Sequence, residues 1–265
     1  MNDISEVEHG FENLRNCFAE EERKDSFFNA LNAVSPKLAE ETIGLFDDWI
    51  DRIRTSTFIT CLSEHDQSED KYGRLSMWRA YQRDIGVALV LKPDVFRSES
   101  DALKVYSSPV AYVDEEEFLG DFIKIVENIR SEQEFLKTVQ REHIVAYIFF
   151  TLLFAVTCSK NPGFHEEREW RLIHLPGAFT GKVDHLETAV EVIEGVPQIV
   201  KKIPLVNIPD QGLVGAEIPE ILDRVIIGPS DYHFQIYEAF ATTLSELGVE
   251  DASSKVYFSE IPLRT

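Results

Sequence analysis

Covalent and metal-built scaffolding has little to work with in this sequence. Three cysteines in 265 residues, Cys17, Cys61 and Cys158, stand far apart with no Cys-x-x-Cys pair. That argues against a disulfide framework and a thiolate metal site, and suits a reducing cytoplasm. Glycine (13) and proline (11) are too sparse for a flexible or Pro-rich linker. Basic residues are also scarce: 26 Lys and Arg face 47 Asp and Glu, a net charge of −21. So acidic a chain has no general basic face for phosphates. Nucleic acid is expected only through a local patch, and a basic protein such as an antitoxin is the complementary partner. The longest apolar run, Ile144–Cys158, falls short of the roughly 20 residues of a membrane span and lacks a basic flank. It reads as a buried core helix, with no membrane engagement. The first residues, Met-Asn-Asp-Ile-Ser-Glu, show no basic stretch leading into an apolar one, so the expected localisation is cytoplasmic.

What is present is an ordinary globular composition, 44% hydrophobic, 28% charged and 11% aromatic, which excludes disordered, collagenous and coiled-coil classes. The chain is read as one α+β domain over 1–265, with a helical N-terminal part (1–54) and a sheet-containing core (55–265). Val7, Phe11, Leu14 and Phe18 recur at helical spacing. Ser35-Pro36 fits a cap and first helical position for a helix carrying Leu38, Ile43, Phe46, Trp49, Ile50 and Ile53. Strands are expected at 55–63, 87–91, 105–113 (interrupted by Pro109), around 170–175, within 187–206, at 222–228 and at 255–259. Helices are expected at 76–81, 114–139, 144–158 and 232–247. Without a regular βαβ rhythm, a mixed, mainly antiparallel sheet is favoured over a doubly wound one.

Three segments concentrate chemistry. In Phe164-His165-Glu166-Glu167-Arg168-Glu169-Trp170-Arg171, strand alternation would put Glu167, Glu169 and Arg171 on one face. Two carboxylates side by side repel, which raises at least one pKa unless a cation is near, and Arg171 could be that cation. Such a pair could accept a proton or stabilise developing positive charge, or be an exposed face laced with ion pairs. At the end of the first strand, Ser63 and Glu64 could be site residues or a cap and a turn. Trp78 and Tyr81 share a helical face and could stack on a flat ring or pack in the core. There is no Walker loop, Gly-x-Gly-x-x-Gly, His-Glu-x-x-His or Gly-x-Ser-x-Gly, and the seven histidines are scattered, so no metal site is expected.

Taken in order, several blocks resemble the bacterial domain-of-unknown-function family 2971. They are Asn2-Asp3-Ile4-Ser5-Glu6; Cys61-Leu62-Ser63-Glu64; Met77-Trp78-x-x-Tyr81 with Gly86; Lys160-x-x-x-Phe164-x-x-Glu167-x-Glu169-Trp170-Arg171; Val225-Ile226-Ile227-Gly228; and Ser259-Glu260-Ile261-Pro262-Leu263-Arg264. Family members usually carry a strand and helix ahead of the Asn-Asp block, which here begins at residue 2. Glu167-x-Glu169 on a strand ending in Pro176-Gly177 is also similar to the Glu-x-Glu strand of ADP-ribosyltransferases. That similarity implies an ADP-ribosyltransferase-like fold and NAD as substrate. It makes Glu169 the catalytic carboxylate that stabilises an oxocarbenium-like transition state, and Glu167 the group that orients the nucleophile. It makes Ser63, Trp78, Tyr81 and Arg171 cofactor-binding pocket residues. The implied function is modification of a protein or nucleic acid, as the toxin of a toxin–antitoxin or anti-phage defence system. A non-enzymatic nucleotide-binding or regulatory module is the alternative. A metal-dependent nuclease is a third reading, set aside because Lys160 lies across a turn from Glu167.

Overall fold

The computed structural model describes residues 4–82, 85–98, 100–178, 185–193 and 195–262. Asn2 and Asp3 of the first quoted block, and Leu263 and Arg264 of the last, lie outside them. The elements run α1 (Ile4–Cys17), α2 (Glu21–Val34), α3 (Leu38–Ser56), β1 (Phe58–Ser63), α4 (Leu75–Tyr81), β2 (Val87–Leu91), β3 (Tyr106–Pro109), β4 (Ala111–Tyr112), α5 (Glu115–Ser131), α6 (Gln133–Leu136) and α7 (Arg141–Thr157). They continue with β5 (Ser159–Lys160), β6 (Glu169–His174), β7 (Glu187–Ile193), β8 (Val196–Lys202), α8 (Ile218–Ile221), β9 (Leu222–Ile227), α9 (His233–Glu246) and β10 (Val256–Phe258). The architecture is mixed α+β.

The chain divides into two compact units, Met1–Leu62 with Ser108–Phe179, and Ser63–Ser107 with Thr180–Thr265. The apolar stripes of the helical segment 1–54 pack against α5 and α7, which follow some sixty residues or more later in the chain.

In the first unit α1, α2, α3, α5 and α7 share one core around Phe27, Leu31, Leu38, Ile53 and Leu153. Phe18, Phe27 and Phe122 meet at ring separations of 5.1 to 5.6 Å. α7 is apolar all round because it packs against both α1 and α3. No helix among the described residues is long and apolar enough to cross a membrane. Gly10 of α1 is buried against the α7 backbone: a Cβ there would fall 2.3 Å from the Val156 carbonyl oxygen. α5 starts on a reciprocal cap, the Asp114 carboxylate accepting from the Glu117 amide and the Glu117 carboxylate from the Asp114 amide.

Two expected boundaries shift for identifiable reasons. Ser35 ends α2 instead of starting α3, because its amide closes on the Leu31 carbonyl; Lys37, in the left-handed region at φ 61°, then starts the turn into α3. The helix expected over 114–139 breaks at Glu132, whose backbone (φ −95°, ψ 15°) leaves helical geometry.

The strand expected at 105–113 is split at Pro109, which has no amide to donate. β3 lies beside β6 in the order β1-β6-β3, whereas β4 pairs in parallel with β5. At the switch, Val110 donates to the Glu169 carbonyl, Ala111 to the Cys158 carbonyl and Val113 to the Lys160 carbonyl. This short stretch therefore holds the starts of β5 and β6 side by side.

In the second unit β9 is central. β2 runs antiparallel on one side of it and β10 parallel on the other. Val225, Ile227 and Val256 pack with Leu244 of α9. β7 and β8 form a separate antiparallel hairpin.

Candidate active site

The segment 159–171 builds the site. After β5 the chain enters a 3-10 turn at Pro162–Glu167, started by Asn161, whose side chain accepts from the Gly163 amide. Arg168 then adopts the left-handed conformation (φ 45°) and turns the chain into β6. The turn doubles back far enough to bring Glu167 to Lys160.

Four charged side chains meet there. The Lys160 ammonium lies 2.6 Å from Glu167 Oε2 and 3.2 Å from Glu169 Oε2. Arg171 Nε donates to Glu169 Oε1 at 2.8 Å, and its Nη1 to the Thr157 carbonyl at 2.5 Å. The Tyr112 hydroxyl accepts from the Glu169 amide at 2.7 Å. Two carboxylates and two cations balance, so the cluster can be buried: Glu169 is 5% exposed, Lys160 6% and Arg171 1%. Glu167 is the more open carboxylate. Phe164, largely exposed, covers the ammonium of Lys160 with its ring 5.0 Å away.

Burial by itself would raise the Glu169 pKa. Hydrogen bonds from Arg171 and the Cys61 thiol, and the charges of Arg171 and Lys160, outweigh it and hold the carboxyl below its ordinary 4.5. Glu169 is therefore a permanent anion at neutral pH. A carboxylate with a lowered folded-state pKa stabilises the fold above its unfolded value and loses that contribution as pH falls through the folded one. Urea midpoints measured from pH 7 to pH 3 should therefore drop more steeply below about pH 4.5 in the wild type than in Glu169→Gln. Parallel profiles would mean that this carboxylate feels water in the folded state.

The expectation for 167–171 needs two corrections. Glu167 is not on the strand; it reaches the shared face through the turn. Arg171 is the expected cation; its guanidinium meets Glu169 and the Thr157 carbonyl, so it positions the carboxylate from behind. Lys160 reaches both acids, so the turn does not separate it from Glu167. Sequence reasoning assigns no role to Tyr112, and none to Cys61 beyond its place in a quoted block. Lys160 also stood in such a block, but its distance from Glu167 depends on the path of the turn.

Ser63, Trp78 and Tyr81 belong to the second unit. Ser63 Oγ accepts from Arg74 Nη1 at 2.8 Å, and Arg74 also pairs with Glu69 and the Glu64 carbonyl. His65 binds Asp70 at 2.6 Å, and Asp70 pairs with Arg224. Trp78 is half-buried, its Nε1 donating to the Tyr72 carbonyl at 3.0 Å. Its ring touches the backbones of Gly73 and Gly228, where an added Cβ would come within 2.5 Å and 3.0 Å of it. Gly73 also has φ +66°, so it is doubly suited to glycine. Tyr81 is exposed. Among the described residues no group of three His, Cys, Asp or Glu side chains is arranged to hold a metal ion.

Residues 77–172 match the model of a family described as "Protein of unknown function (DUF2971)". The match supports the domain-of-unknown-function family. The family segment takes in Trp78 and Tyr81 at one end and Lys160, Glu167, Glu169 and Arg171 at the other; the Cys61–Glu64, Val225–Gly228 and C-terminal blocks lie outside it. No curated protein and no solved structure matches the chain.

Proposed function

We propose that this chain is an NAD-dependent ADP-ribosyltransferase that modifies a protein or nucleic acid, as a toxin or anti-phage effector in the cytoplasm. The observation that carries the reading is the convergence of Glu167 and Glu169 on one lysine at the start of β6, with Glu169 held ionised. When the bond between ribose and nicotinamide breaks, nicotinamide leaves with the electron pair and the sugar becomes positively charged. A fixed anion such as Glu169 stabilises that charge, and the more open Glu167 orients the incoming nucleophile. In the resting arrangement Lys160 occupies both acids. The reading therefore requires its ammonium, with the exposed Phe164 above it, to swing aside when the sugar enters. It rests on the first unit's carboxylates alone; Ser63, Trp78 and Tyr81 are not needed for it.

The test is release of nicotinamide from NAD in the presence of a cell extract. Wild type should release it, and Glu169→Gln should be slower by about 10²–10³-fold while keeping its circular dichroism spectrum. Equal release by the two proteins, or none by either, overturns the proposal.

A specific observation favours a second reading. Glu169 is 5% exposed and clamped by two cations, as a purely structural anion would be. In a non-enzymatic nucleotide-binding or regulatory module the cluster would serve rigidity alone. NAD binding seen by calorimetry without turnover would favour it.

A further inference from the structure

Glu169 is held through its main chain as well as through its carboxylate. The short stretch 110–112 brackets its peptide unit. The Val110 amide donates to the Glu169 carbonyl at 2.9 Å, and the Glu169 amide donates to the Tyr112 hydroxyl at 2.7 Å. A strand amide ordinarily finds a backbone carbonyl, so a side-chain acceptor here is a specific arrangement. Tyr112 lies opposite Lys160 in the parallel pairing of β4 and β5, and the two side chains leave the same face. Neighbours on one two-stranded sheet thus reach the two ends of Glu169, Lys160 the carboxylate and Tyr112 the amide. Burial pushes the Tyr112 phenol above its ordinary 10, so at neutral pH it brings no charge to the cluster.

A substrate treats the two contacts differently. On the transferase reading the sugar enters where the Lys160 ammonium rests, so that ion pair is broken during catalysis. The Tyr112 contact is to backbone and competes with nothing at the carboxylate. It is needed there because the chain enters β6 through Arg168 at φ 45°. That conformation is unfavourable for a non-glycine residue and persists only where the surroundings hold it. We propose that Tyr112 is a positioning residue: its hydroxyl fixes the Glu169 main chain, and so keeps the carboxylate aimed at the sugar after Lys160 has moved. This role rests on the transferase reading and extends it to a residue that acts on the catalytic carboxylate through its backbone.

Tyr112→Phe keeps the ring and removes the acceptor. With NAD and a cell extract, the full-length variant should release nicotinamide with kcat lowered about ten- to a hundredfold and KM for NAD within about twofold of wild type. A tyrosine needed only for stability would lower the unfolding midpoint and leave kcat of the folded protein unchanged. In protein carrying isotope-labelled glutamate, the Glu169 amide is the NMR peak missing from Glu169→Gln. Its exchange with deuterium should be about five- to tenfold faster in Tyr112→Phe than in wild type. An unchanged kcat, a loss confined to KM, or an unaltered Glu169 amide overturns the role of Tyr112 and leaves the transferase reading standing. No nicotinamide release by wild type overturns that reading, and this role with it. Should Tyr112→Phe not fold, the wild-type amide decides. Protection of the Glu169 amide supports the role, and exchange as fast as in an unfolded peptide overturns it.

Discussion

Arg171→Met should destabilise the chain by about 3–5 kcal/mol, the cost of leaving one partner of a buried pair uncompensated. The arginine is 1% exposed, and its guanidinium serves both Glu169 and the Thr157 carbonyl. Methionine preserves the aliphatic stem and removes every donor. Glu169 is then left with Lys160 and the Cys61 thiol, and Lys160 is shared with Glu167. The double variant Glu169→Gln with Arg171→Met should recover a large part of the loss, because removing both charges leaves no buried ion without a partner. The midpoint of urea unfolding measures both. An Arg171→Met protein within about 1 kcal/mol of wild type would show that the cluster is solvated in solution.

Gly10→Ala carries the other large effect. Alanine is the better helix former by about 1 kcal/mol, so in an exposed helix the change would stabilise. At Gly10 the new Cβ would lie 2.3 Å from the Val156 carbonyl oxygen and 2.6 Å from its Cα. The obstacle is backbone, so no rotamer change relieves it; α1 and α7 must separate along the centre of the main core. Overpacking of this kind costs about 1–3 kcal/mol and more where nothing can yield. The net expectation is a loss of about 2 kcal/mol or more. Gly44→Ala and Gly120→Ala are the internal controls. Both sites are helical with nothing within 4 Å of the new Cβ, so each should gain about 0.5–1 kcal/mol. A Gly10→Ala protein as stable as these controls would contradict the close crossing of α1 and α7.

Much of the fold was legible because the signals are local. The apolar run at 144–158 became α7, apolar on every side because helices cover it, and the β-branched runs at 87–91 and 222–228 became β2 and β9. The site was half legible. The strand period alone puts Glu169 and Arg171 on one face, and the structure pairs them at 2.8 Å. The same period places Glu167 with them for a reason that does not apply, since the chain there is a turn closed by the left-handed Arg168. Lys160 reaches Glu167 for a related reason, because separation along the chain says nothing about a turn that folds back on itself.

From the sequence by itself came the kinds of element, their order, the acidic surface and the two carboxylates worth attention, because side-chain spacing and composition act over a few residues. Tertiary structure alone decided that the N-terminal helices close over α5 and α7, that Lys160 joins both acids, and that Arg171 faces inward. Those outcomes depend on which distant segments meet, and such meetings follow from summed packing and strand pairing that no short stretch of chain encodes.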